Sequence, residues 1–231
     1  MIWVVEVGKF AFMNPEHALT QKFSQELVNT SIDTGIDYAE MGIDQLFTDE
    51  LLKEVPIIKT AATLVKIGIN VREKFFVKKL LTFLKEFHTS QIDPQKLSEF
   101  KNTFDIDSKK REKITEQLLI FLDAHLTIEK SQILAKLFRA HIEGNFDWAY
   151  FCSLATSLDR LHPHSIQFLH YLSNYQFKIP MNPERDRLGI VRDHGNESLL
   201  SASGLAGGTS VWDSMFEVSD MGKDLFNYGI K

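Results

Sequence analysis

Residues 55–87 read VPIIKTAATLVKIGINVREKFFVKKLLTFLKEF, and two patterns in that run set the expected architecture. From Pro56, at 3.6 residues per turn, Lys59, Thr63, Lys66, Asn70 and Glu73 fall at steps of four, three, four and three, on one narrow polar stripe. Ile57, Ile58, Ala61, Ala62, Leu64, Val65, Ile67, Ile69 and Val71 surround that stripe, which predicts a helix apolar around most of its circumference. Such a helix is either the centre of a bundle or a membrane-active element. The continuation is conventionally amphipathic, with Lys74, Lys78 and Lys85 on one side and Val77, Leu80, Leu81 and Leu84 on the other. One unbroken helix over 56–87 would run about 48 Å at 1.5 Å per residue, longer than a small domain is wide. A break near residues 68–72 follows.

Helix signals continue in both directions. Upstream, Asn14 and Pro15 open a helix over 14–30 with Phe23 and Leu27 on one face. Residues 31–42 read as a loop or broken helix, and Thr48 caps a short helix carrying Leu51 and Leu52. Downstream, Asp93-Pro94 starts a helix through Phe100, Asp107 or Ser108 caps one to about His125, and Thr127 caps Ile128 to Ile142. Gly144-Asn145 stops that helix. Phe146 to Leu161 and Pro163 to Tyr175 form two more. A loop with Pro180 and Pro183 then leads to a short helix over 196–204 and a flexible turn over 206–210. A strand from Val211 to Val218 and a helix capped by Ser219-Asp220 close the chain. Helix, helix, short helix, hairpin, helix is the order of a winged-helix unit, with Gly207-Gly208 at the wing tip. The fold expected is mainly α, a helical bundle followed by a small winged-helix-like α+β module. Its parts are an acidic helical segment over 1–54, a bundle with the basic helix pair over 55–145, and the module over 146–231.

The chain has 231 residues, 44% hydrophobic and 25% charged, an ordinary balance for a globular protein. Eighteen Phe against twelve Gly and six Pro point to a well-filled helical core. A single Cys excludes an intrachain disulfide scaffold and a Cys-based zinc site. The formal charge of −5 does not suit a protein that coats nucleic acid. It conceals segregation: residues 1–54 carry −7 and residues 55–85 carry +6. The two blocks pair with each other, or the basic block meets an acidic partner. Met1 to Glu6 lacks the pattern of a secretory leader, and no stretch of eighteen residues is free of charge. The expected location is the cytoplasm, with the inner-membrane surface as a peripheral alternative.

Two stretches resemble a known family. Val55-Pro56-Ile57-Ile58 through Lys78-Lys79-Leu80-Leu81-Thr82-Phe83-Leu84 is similar to the signature of the abortive-infection alpha family of bacterial proteins. Ile128 to Leu134, with Gly144-Asn145-Phe146-Asp147-Trp148-Ala149-Tyr150-Phe151, looks like a helical pair of the same kind of protein. Phe216 to Leu225 resembles the strand-then-helix close of winged-helix domains. The resemblance implies a bacterial cytoplasmic protein connected with phage defence and carries no assigned chemistry.

No catalytic constellation emerges. Gly204 to Ser210 is glycine-rich but lacks the Lys that a phosphate loop places before Ser or Thr. His125 with Glu129, His141 with Glu143, and His162, His164 and His170 do not form a metal-ligand spacing. Cys152 reads as a buried, inert thiol, and Asp33, Asp37, Glu40 and Asp44 as a solvated face. No catalytic residue, metal ligand or cofactor is nominated. Lys59, Lys66, Arg72, Lys74, Lys78, Lys79 and Lys85 form the candidate surface for a partner or for anionic lipid. Arg185, Arg187, Arg192 and Asn196 are the candidate winged-helix contacts. The first reading is a non-enzymatic interaction protein working through a protein partner or a second copy. A membrane-active effector using 56–87 is the alternative. DNA binding ranks third, because the helix over 196–204 has no Lys or Arg and residues 146–231 sum to −3.

Overall fold

The computed structural model describes residues 15–28, 39–42, 45, 71–181, 189, 193–208 and 215–231. The apolar segment 56–70, with Lys59 and Lys66, lies outside the described residues. So do Asn14, Thr48, Pro183, Arg185, Arg187, Arg192 and residues 211–214.

Helix α1 (Pro15–Val28) buries Phe23 and Leu27, as its periodicity predicts. Helix α2 (Val71–Thr89) begins inside the interval where a break is expected. Then come α3 (Pro94–Ile106), α4 (Ser108–Ala124), α5 (Ile128–Ile142), α6 (Trp148–Arg160) and α7 (Pro163–Ser173). Their starts follow the capping residues. Asp93 accepts from the N–H groups of Gln95 and Lys96, Asp107 from Lys110, and Asp147 from Tyr150. Thr127 departs from expectation. It occupies the N-cap position of α5 but makes no capping bond, and its hydroxyl is buried without a partner. The end of α5 behaves as read: Gly144 takes φ +85°, and the N–H groups of Gly144 and Asn145 reach back to the carbonyls of His141 and Ala140.

Among the described residues, the helix buried around most of its circumference is α5. Ile133, Leu134, Ala135, Leu137, Phe138, Ala140 and Ile142 are all inside, and α2 is its principal neighbour. Phe138 is the hub. Its ring centroid lies 6.2 Å from Phe83 and 5.5 Å from Phe87 on α2, 5.7 Å from Phe100 on α3, and 5.7 Å from Phe151 on α6. These spacings are the range aromatic pairs favour. Five phenylalanines thus form one ring cluster joining four helices.

Beyond α7 the chain forms a three-stranded antiparallel sheet in the order β1-β3-β2, from β1 (Lys178–Pro180), β2 (Ala206–Gly208) and β3 (Met215–Val218). Ile179 pairs with Phe216, and Ala206 with Val218. Alternation along β3 puts Phe216 and Val218 inside and leaves Glu217 outside, within 4.0 Å of Lys178 and 3.4 Å of Lys223. Two expectations are corrected here. Pro180 stands in a strand rather than a loop, an edge position where its missing N–H costs no ladder bond. Gly207 and Gly208 lie in β2 rather than at the tip of a turn. Helix α8 (His194–Ala202) packs on α7 and β2. Ser219 caps α9 (Asp220–Leu225), which ends in a π-turn over Phe226–Ile230 lying against α5. One continuous apolar cluster runs from Leu19 to Phe226.

Candidate interaction surfaces

The basic face expected on 56–87 is only partly outward. Arg72 is exposed and bonded to Asp123 at 2.7 Å. Lys78 is half-buried and donates to the Met41 carbonyl at 2.7 Å. Lys74 and Lys85 are half-buried, each with a partner of its own.

Lys79 corrects the sequence reading outright. It is 4% exposed, and its ammonium donates to the carbonyls of Asp123 and His125 at 2.9 and 2.8 Å. Those carbonyls belong to the C-terminal end of α4, where the helix dipole is negative and the last C=O groups lack helical partners. Lys130 on α5 does the same for α6: it is fully buried and donates to the Asp159 carbonyl at 2.7 Å. Burial holds both ammoniums below the usual lysine range. Each supplies an N–H donor to backbone carbonyls at a helix end, where those groups lack helical partners.

Between these lysines sits His125, 2% exposed, with neither ring nitrogen hydrogen-bonded. Burial, followed by the charges of Lys130 and Lys79, pushes its pKa down to about 3, so the ring is neutral. The grouping is a structural clamp at one end of the bundle, where two interior cations hold two helix termini.

The second candidate surface is α8. Asn196, expected to face a partner, turns into the fold. Its side-chain oxygen accepts from Ser165 on α7 at 3.1 Å, and its amide nitrogen donates to Asp193 at 2.8 Å. Asp193 also caps α8 by accepting from the Asn196 N–H at 3.0 Å. Those bonds from the Asn196 backbone and side chain hold the Asp193 carboxyl below the usual range. What α8 presents outward is His194, Gly195, Ser198, Leu199, Ser201 and Ala202, a face without a Lys, Arg, Asp or Glu. Leu199 is 40% exposed at its centre.

Cys152 is half-buried on α6, and burial raises its thiol pKa, which keeps it protonated. Among the described residues no three His, Cys, Asp or Glu side chains are grouped to hold a metal ion, and no helix is long and apolar enough to cross a membrane. Set against known proteins, the chain matches no family model, no curated protein and no solved structure.

The sequence reading missed the clamp. Lys79 lies four residues before Phe83 and eight before Phe87, and Lys130 lies four before Leu134, so helical spacing alone puts both on buried faces.

Proposed function

We propose that this chain is a non-enzymatic interaction protein whose working surface is the outward face of α8, and that it engages protein rather than nucleic acid. The order β1-β3-β2, with α8 set against α7 and β2, supports reading the C-terminal region as winged-helix-like. In that reading α8 stands where a DNA-binding member carries its recognition helix. The observation that carries the proposal is the chemistry of this face. Base and phosphate contacts draw on Arg, Lys, Asn and Gln. Here the outward positions are small, hydroxylated or apolar apart from His194 at the first turn, and the one amide is bonded inward. A face without Lys, Arg, Asp or Glu, centred on an exposed Leu, suits the desolvated middle of a protein–protein contact.

Membrane association draws less support. Of the seven cations nominated for lipid, Lys79 is interior, and Arg72 and Lys78 are bonded to other parts of the chain. A setting in bacterial phage defence rests on the resemblance of 55–84 and 128–151 alone.

The substitution Leu199→Arg tests the proposal. The variant is expected to lose the self-association or protein capture of the wild type and to gain no salt-sensitive affinity for duplex DNA. Unchanged association, or wild-type binding to duplex that weakens steeply with salt, would overturn it.

A further inference from the structure

Where the ends of α1 and α2 meet the start of α3, the surface folds into a cleft of about 370 Å³. Its floor is Leu27 and Phe87, both buried, and its walls are Ile92, Pro94 and Leu97. The size and the apolar lining fall within the range of small-molecule sites. The polar groups around the cleft are few. The Ser90 hydroxyl is engaged, donating to the Glu86 carbonyl at 2.7 Å. The His88 ring nitrogen Nε2 lies 2.8 Å from the Glu26 carbonyl, and since that oxygen can only accept, Nε2 carries the proton. Burial lowers the His88 pKa and the charge of Lys101 adds to the effect, so the ring is neutral.

That leaves Lys101 on α3 as the charged side chain among the described lining residues. It is half-buried and forms no ion pair or hydrogen bond among them. Its neighbours in the cleft are uncharged, so a single anionic group seated there would meet attraction without a competing carboxylate. The exposed Gln91 stands at the same rim as a second donor. The ligand that answers this lining has one apolar body and one negative head.

We propose that the cleft between α1, α2 and α3 binds a free aliphatic or aromatic monocarboxylate, its hydrocarbon part on Leu27, Phe87 and Leu97 and its carboxylate against Lys101. The reading is independent of the α8 surface and survives its failure.

Octanoate and 1-octanol are suitable probes, because they share the chain and differ in the head. Titration of the full chain, followed by amide shifts of residues 87–101, should show saturable octanoate binding with 1-octanol at least about tenfold weaker, the factor expected from losing one charge-assisted contact. Lys101→Met should bring octanoate to the level of 1-octanol, while Lys109→Met on exposed α4 changes nothing. Gln91→Glu, on an exposed residue that does not hold the fold, should weaken octanoate alone. Equal affinity of the two probes, an unchanged Kd in Lys101→Met, or shifts spread beyond residues 26–28 and 87–101 would each overturn the proposal.

Discussion

The aromatic hub on α5 and the outward face of α8 use side chains in opposite ways. Around Phe138, rings from four helices are held at 5.5–6.2 Å, and even two lysines are drawn inside to close helix ends. On α8, the Asn196 amide is bonded inward, and what faces outward carries no Lys, Arg, Asp or Glu. The contrast separates two kinds of importance. Residues of the hub matter because the chain cannot fold well without them. Residues of the α8 face make few demands on the fold, so they are free to serve contact with another molecule.

Truncating the hub should give the largest effect. Phe138→Ala removes a fully buried ring that packs against four other phenylalanines, Trp148 and His141, and is expected to cost about 3–5 kcal/mol in denaturant unfolding. A loss below about 1 kcal/mol would mean that the rings repack without it, and the contrast would dissolve.

Acid should act on the clamp next. His125 is neutral in the folded chain with a pKa of about 3, whereas in the unfolded chain it takes up a proton near 6.5. The unfolded state therefore binds more protons between those values, and stability falls as pH drops from about 6.5 toward 3. At pH 5 the contribution is about 2 kcal/mol, from roughly 1.4 kcal/mol per pH unit. His125→Leu should flatten this part of the pH–stability curve relative to the wild type. Parallel curves for the two proteins would show that the imidazole titrates normally and is not held between Lys79 and Lys130.

A smaller effect is expected at the start of α8. Asp193→Ala removes the cap and the partner of the Asn196 amide, and should cost about 1 kcal/mol. Because the Asn196 amide nitrogen then loses its partner and only the Ser165 bond holds that side chain inward, the same variant should alter association more than Phe138→Ala does at matched stability. If the two variants change association only in proportion to their stability loss, α8 has no special part in contact.

The degree to which these features were legible differs for physical reasons. Helix starts were readable where Asp93, Asp107 and Ser219 use short side chains to satisfy N–H groups next to them in sequence, whereas the sequence reading passes over the cap at Asp147 and starts that helix at Phe146. The C-terminal sheet was only partly readable. β1 has three residues, one of them Pro180, and is strand only because β3 lies beside it, a long-range fact. Asn196 was nominated as a contact by residue type, yet its orientation is set by Ser165, thirty-one residues away. Lys79, nominated for the basic surface, misled for a different reason, and Lys130 drew no attention. Charge marks a lysine as a surface residue, but two helix ends arriving from elsewhere supply the carbonyls that let them stay inside.

A photoreactive side chain in place of Ser198, with an equivalent at exposed Lys109 as the reference, tests the α8 surface most directly. Irradiated in cells, the Ser198 position is expected to give a discrete protein adduct that the Lys109 position does not give and that Leu199→Arg abolishes. An adduct to nucleic acid, or the same adducts from both positions, would contradict the account.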